Sequence, residues 1–274
     1  MDTVVYDRIE DVLGRIESLY GRVEDTYLVA KDILLGTQIS DWIADLKASG
    51  TASATYSDAS RMNVLIANED AVNNTEITKY LCSWAIANNK VGLYFGTFVS
   101  EVSDVNWEEC TTVQQLYANT TAFNAVANNA NSFNALLNNS TMKNSLYTYW
   151  QNVENSLANS SVATNKLSSL SSGNGNMGGG NRDTNAINFY KGKKMWFSHL
   201  QLSVGPSWGN TTLTVTITKP DGSTWSNSIQ TGDYYTNASA SIKMPLNKFG
   251  TRLQTTVGSG TGTGWQEPKV VFFS

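Results

Sequence analysis

Between residues 111 and 170 the sequence repeats itself about every ten residues, and this period constrains the fold more than any other feature. Stacked as TTVQQLYANT, TAFNAVANNA, NSFNALLNNS, TMKNSLYTYW, QNVENSLANS and SVATNKLSSL, the units place an apolar anchor at Leu116, Val126, Leu136, Leu146, Leu157 and Leu167. Ten residues turn an ideal α-helix through about 1000°, roughly 80° short of three turns, so a ten-residue stripe winds off any one face of a straight helix. Each unit instead reads as a cap, one or two helical turns and a stop. A Thr, Ser or Asn opens it, a run such as Ala122-Phe123-Asn124-Ala125-Val126-Ala127 fills it, and Asn-Asn closes it. Stacked short helices, a small α-solenoid, fit this grammar. The alternative is an overwound coiled coil, since a ten-residue period acts as a recurrent stammer. Either form buries each unit on its neighbours. A fainter echo lies upstream at Ile66, Ile77 and Ile86.

The N-terminus carries a different period. Val5, Ile9, Val12, Ile16, Leu19, Val23, Thr26, Ala30 and Ile33 are spaced alternately by four and three residues, an unbroken heptad seam. Its β-branched mixture departs from the Leu-rich d positions of a strict dimer, so residues 1–38 are expected to form a coiled-coil oligomerisation helix, in a parallel homotrimer. The competing reading is an amphipathic helix packed within its own domain. Gly14 and Gly21 weaken an isolated helix by about 1 kcal/mol each relative to Ala.

Strings such as Thr121-Ala122-Phe123-Asn124-Ala125-Val126-Ala127-Asn128-Asn129 and Asn138-Asn139-Ser140-Thr141-Met142-Lys143 resemble the Ala/Asn/Ser-rich decapeptide repeats of tailed-bacteriophage tail and fibre proteins. The resemblance covers residues 111–170 and none of the C-terminal part. It implies a virion structural protein assembled in the host cytoplasm, with other virion proteins as partners, and it carries over no catalytic residue.

Residues 171–182 form a Gly/Asn-rich stretch, seven of the eight residues 174–181 being Gly or Asn, which reads as a flexible linker that lets the following module reorient. Beyond it the texture turns to β. Met195–Val204 and Thr212–Thr218 alternate apolar and polar residues, Lys219-Pro220-Asp221-Gly222 supplies a turn before Ser223-Thr224-Trp225, and further strands are expected over 239–244, 252–257 and 269–273. The expected fold class is therefore multidomain α + β. A coiled-coil helix (1–38) leads into a mainly helical connection (39–110), ten-residue helical repeats (111–170), the linker (171–182) and an antiparallel, jelly-roll-like β-sandwich (183–274).

Charged residues make up only 15% of the 274, below the roughly 25% of ordinary domains. Residues 1–181 carry 10 Lys and Arg against 19 Asp and Glu, while residues 182–274 carry 9 against 4, so the two parts stand at −9 and +5. No Lys/Arg cluster interleaves with aromatics and no apolar run is long enough to span a bilayer, so neither nucleic-acid binding nor membrane insertion is expected. The charged start reads as no signal peptide. The two cysteines, Cys82 and Cys110, are expected as free buried thiols.

Catalytic constellations are missing. His199 is the single histidine and sits mid-strand, where a structural imidazole is expected. The C-terminal acids are Asp183, Asp221, Asp233 and Glu267; a glycosidase pair such as Asp233 with Glu267 has no feature bringing its members together. No enzymatic activity, metal or cofactor is expected. Trp208, Tyr234, Tyr235 and Trp265 fall in Gly/Asn/Ser-rich, turn-like contexts, where flat rings stack on sugar faces, and are the candidate host-envelope glycan contacts. Against this, Trp196, Trp225 and Phe272 would fill the core and the loop aromatics would staple turns or subunits. Three functions follow in order: a trimeric phage fibre or tail protein with a receptor-binding C-terminal module, a purely structural head-fibre, collar or baseplate component, and a bacterial surface carbohydrate-binding protein.

Overall fold

The computed structural model describes residues 3–102, 104–173, 187–190, 192–204, 212–230, 240–257 and 266–274; in the first helix, side chains are described at Arg8 and from Glu10 onward. The chain is mixed α and β and divides into two compact units, Met1–Tyr80 and Leu81–Ser274.

In the first unit the heptad segment belongs to one 47-residue helix, α1 (Thr3–Ser49), about 70 Å long. The helix runs past the expected boundary at 38 because its C-terminal part has a core to enter. Leu46 is fully buried, as are Met62, Leu65 and Ile66 of α3 (Ala59–Ile66), Val72 of α4 (Glu69–Val72) and Ile77; the short helix α2 (Ala54–Ser57) precedes α3, and α5 (Thr78–Ala87) follows Ile77. The chain reverses after α1 at Gly50, whose φ of +56° lies in the left-handed region and whose Cβ position would meet the Tyr80 ring. The Asp45 carboxylate accepts from the Thr55 N–H at 2.9 Å. Hydrogen bonding to Thr55 holds Asp45 below the usual carboxylate range.

The second unit contains α6 (Val91–Phe98) and then six helices in the ten-residue period: α7 (Val113–Ala118), α8 (Thr120–Asn128), α9 (Ala130–Asn138), α10 (Ser140–Thr148), α11 (Trp150–Asn159) and α12 (Ser161–Leu170). A single residue separates each from the next. Asn119, Asn129, Asn139 and Ser160 have extended backbone, end one helix and open the following one. Their side chains accept from the N–H groups of Ala122, Ser132, Met142 and Ala163 at 3.0–3.1 Å. These donors would otherwise be orphaned at a helix start, so a short polar side chain at every tenth position both stops and restarts the helix. Tyr149 holds the same place without a side-chain cap. All six anchors, from Leu116 to Leu167, are fully buried, as are Ile66 and Ile77 upstream; Ile86 is half-buried.

Eight strands follow: β1 (Ser172–Gly173), β2 (Ile187–Phe189), β3 (Met195–Val204), β4 (Thr212–Thr218), β5 (Thr224–Gln230), β6 (Ala240–Gly250), β7 (Arg252–Val257) and β8 (Gln266–Phe272). They form two antiparallel four-stranded sheets ordered β1-β8-β3-β6 and β2-β7-β4-β5. The segment expected as linker thus opens with a strand, Ser172–Gly173 pairing Val270 and Lys269. Met195, Phe197, Leu200, Leu202, Met244 and Val270 of the first sheet share one apolar cluster with Leu213, Val215, Ile217 and Leu253 of the second.

The two sheets differ in how they are covered. β4 alternates half-buried Thr with fully buried Leu213, Val215 and Ile217, the pattern of a sheet with one wet face. β3 is buried at six consecutive residues, 195–200, because the other face of its sheet is covered, by α12 at β3 and β8 and by α11 at β6. A register shift between Phe197 and His199 makes Ser198 a bulge relative to β8, and the extra residue shifts the parity of β3, so that Met195, Phe197, Leu200 and Leu202 all reach the same cluster. Trp196 therefore faces away from the intersheet core and stacks edge-on against Phe249 at 4.9 Å. Trp225 only flanks the core. Phe272 is 42% exposed, so the expectation that these three aromatics fill the core is corrected.

Candidate functional site

The N-terminal helix presents the first candidate. Val12, Ile16, Leu19 and Val23 are exposed along it, with Leu19 at 57% and Val23 at 66%, and Ile33 continues the line. Val5 and Ile9 belong to the same helix by position; their side chains lie outside the described residues. A recess on this face is lined by Leu19, Arg22, Val23, Thr26, Tyr27 and Ala30, where the small Thr26 and Ala30 leave room beside larger neighbours. Single exposed apolar residues are ordinary, but a continuous row of them is the mark of an interaction surface.

A second constellation fastens the repeats to the sheets. Glu154 of α11 is 5% exposed. One carboxylate oxygen accepts from Lys219 at 3.3 Å and Lys248 at 3.2 Å, and the other from the Phe249 N–H at 3.0 Å. Lys219 also sits 5.1 Å from the centre of the Trp150 ring. Phe249 stacks on Tyr147, and the Ser274 N–H donates to Asn144 at 3.1 Å. A buried carboxylate needs such partners, since an unpaired one would be strongly disfavoured. The β-module is thus seated on α10 and α11, and the expectation that a Gly/Asn tether lets it reorient is corrected. Sequence reading missed Glu154, whose partners lie 65 to 95 residues away. A signal was present: three residues before the anchor the first units carry Val113, Phe123 and Phe133, and this unit carries an acid.

This seat uses part of the positive charge of the C-terminal part. Of the nine cations in residues 182–274, Lys219 and Lys248 are held by Glu154, and Lys269 by Glu267 at 2.7 Å. His199, opposite Lys269 and Pro245 on the neighbouring strands, is buried, and its Nδ1 has no partner among the described residues. Burial first, then Lys243 and Lys269, push its pKa down to about 4 against a partial offset from Glu267. The imidazole is neutral at pH 7. Asp221 serves the β4–β5 turn by accepting from the Ser223 N–H and hydroxyl. Asp183 and Asp233 lie outside the described residues.

The candidate glycan contacts Trp208, Tyr234, Tyr235 and Trp265 also lie outside the described residues. The strand ends that flank them are described. Val204 pairs with Ala240, and Leu202 with Gln266. Thr212 pairs with Gln230, and Leu213 with Val257. At the opposite end the chain crosses between sheets through Thr251 alone, and Gly250 admits Ile217 to 2.6 Å of where a Cβ would stand. That crossing aligns the two sheets end to end, so 205–211, 231–239 and 258–265 all begin and end at the far end from Glu154. Among the described residues no helix is long and apolar enough to cross a membrane.

No known protein-family profile and no curated protein matches this chain.

Proposed function

We propose that this chain is a structural protein of a tailed-bacteriophage particle, a fibre or tail component in which residues 1–38 join three copies as a parallel coiled coil and the C-terminal module, a β-sandwich, contacts the host envelope. The observation that carries the reading is the apolar heptad face of α1, which the single chain leaves in water. A second copy of the same seam is the natural cover for it. The ten-residue repeats supply the likeness to phage fibre and tail proteins. The strand orders β1-β8-β3-β6 and β2-β7-β4-β5 support a reading as two interleaved Greek keys, a jelly roll, an architecture found in viral capsid and lectin domains. That is an analogy of fold and assigns no site. Three connections carrying Trp208, Tyr234, Tyr235 and Trp265 leave and re-enter the sheets at one end, which favours that end as the recognition face.

A purely structural head-fibre, collar or baseplate role is favoured by one observation, the seating of the module through Glu154, which consumes two of its lysines. Two measurements separate the readings. Antibodies raised against this chain are expected to decorate purified phage particles, and unlabelled particles would remove the virion assignment. A combined Trp208→Ala and Trp265→Ala variant is expected to lower binding of the protein to isolated host envelopes; undiminished binding, or none by the parent protein, leaves the structural role.

A further inference from the structure

We propose that α1 associates with copies of itself in parallel and in register, and that Arg15 and Arg22 select the parallel direction by lying over Tyr20 and Tyr27 of the neighbouring copy. The inference rests on the self-association reading above and adds the register and the residues that set the parallel direction. Written in sevens, residues 6–26 read YDRIEDV, LGRIESL and YGRVEDT, the same unit three times over. With Ile16 and Val23 at a and Val12 and Leu19 at d, the repeated Arg falls at g and the repeated Tyr or Leu at e.

The apolar face is therefore three positions wide in each heptad rather than two. Leu13, Tyr20, Tyr27 and Leu34 extend it, and all four are exposed. A strict a/d seam is buried by one partner, whereas a face of this width is that of a helix in a bundle, with a neighbour on each side. The flanking charges then choose the direction. In a parallel pair, g of one helix faces e of the next heptad on its neighbour. That brings Arg15 to Tyr20 and Arg22 to Tyr27 of the other copy, with Arg8 against Leu13 and Val29 against Leu34. A guanidinium over a tyrosine ring is attractive, and its aliphatic stem covers apolar surface. In an antiparallel pair, g faces g and the row of Arg8, Arg15 and Arg22 meets the same row, which like-charge repulsion opposes. Sliding a parallel pair by one heptad leaves seven residues of apolar seam uncovered at each end, so full burial of the face holds the copies in register. Tyr20 and Tyr27 are 73% and 65% exposed, and Arg15 and Arg22 make no ion pair among the described residues, so both partners are available.

The test uses the full chain in two arms. Ala30→Cys places a thiol at a core position near the C-terminal end of the seam, and Cys82 and Cys110 are buried. Mild oxidation is expected to yield covalent dimers of Ala30→Cys on a non-reducing gel and none of the parent protein, since only a parallel, in-register assembly brings residue 30 to itself. In the second arm, Tyr20→Arg with Tyr27→Arg is expected to weaken association about tenfold or more at low salt by setting Arg against Arg. Adding Arg15→Glu and Arg22→Glu to that variant is expected to restore affinity to within about threefold of the parent protein. All four positions face solvent, so circular dichroism of each variant is expected to match the parent. An oligomeric parent protein whose Ala30→Cys variant does not cross-link, or whose charge swap does not rescue, overturns this inference and leaves self-association standing. A monomeric parent protein overturns both.

Discussion

Residues 8–38 and residues 111–170 are both helical and both carry a regular apolar stripe, yet one stripe lies in water and the other is closed. Leu19 is 57% exposed while Leu136 is at 0%. The difference lies in the period. A spacing near 3.5 stays on one side of an uninterrupted helix, so α1 does not fold back to cover its own stripe, and the proposed cover is a second copy of the helix. A spacing of ten, interrupted by Asn119, Asn129, Asn139 and Ser160, divides the chain into helices short enough to pack on one another. Helix-breaking polar residues decide whether an apolar pattern is satisfied within the chain or awaits a partner. The contrast can be broken at several points.

Leu136→Ala should lower the stability of the repeat unit by about 2–5 kcal/mol in urea unfolding, through lost burial and a residual cavity. Leu19→Ala should leave that unfolding unchanged and act only on association. Glu154→Ala should cost about 2 kcal/mol, because Lys219, Lys248 and the Phe249 N–H lose their shared acceptor. A double-mutant cycle with Lys248→Ala should show coupling, and additive effects would mean that the joint is not a unit.

The His199 effect depends on pH. Its ordinary pKa is 6.5 and its folded value is about 4, so between these values the unfolded chain binds a proton that the folded chain refuses. Stability should therefore fall as pH drops from 6.5 towards 4, by up to about 1.4 kcal/mol per unit from this group alone, with no contribution from it above 6.5. His199→Gln should remove that component, measured as the difference between the two unfolding profiles. The smallest effect is at a cap: Asn129→Ala should destabilise by about 1 kcal/mol, and Asn129→Ser by less.

Much of this was legible because it is local. A capping Asn acts on an N–H three residues away, so six helices and their buried anchors could be read from the ten-residue spacing. Alternation gave β4 its span, since one face of its sheet is wet. What escaped was non-local. β3 loses its alternation because helices cover its second face and Ser198 shifts its parity, and neither is encoded in the strand itself. β6 runs on to Gly250, past the expected 244, as the partner of β3 along its whole length. Glu154 looks like any charged helix position until Lys219, Lys248 and Phe249 are brought to it. The continuation of α1 to Ser49 takes Leu46 into full burial, which the heptad pattern does not encode. The heptad seam was readable as a pattern, while the partner proposed for it is another copy of the chain.

Sedimentation equilibrium of the full chain at micromolar concentration, alongside Ile16→Asp, tests most directly whether α1 is an assembly surface. The parent protein should sediment at three times the 29.9 kDa chain mass, and Ile16→Asp, which would force a carboxylate from every copy into one apolar layer, should sediment as a single chain with the unfolding transition of residues 81–274 unchanged. A parent protein that sediments as a single chain, or an Ile16→Asp variant that stays assembled, would contradict the account.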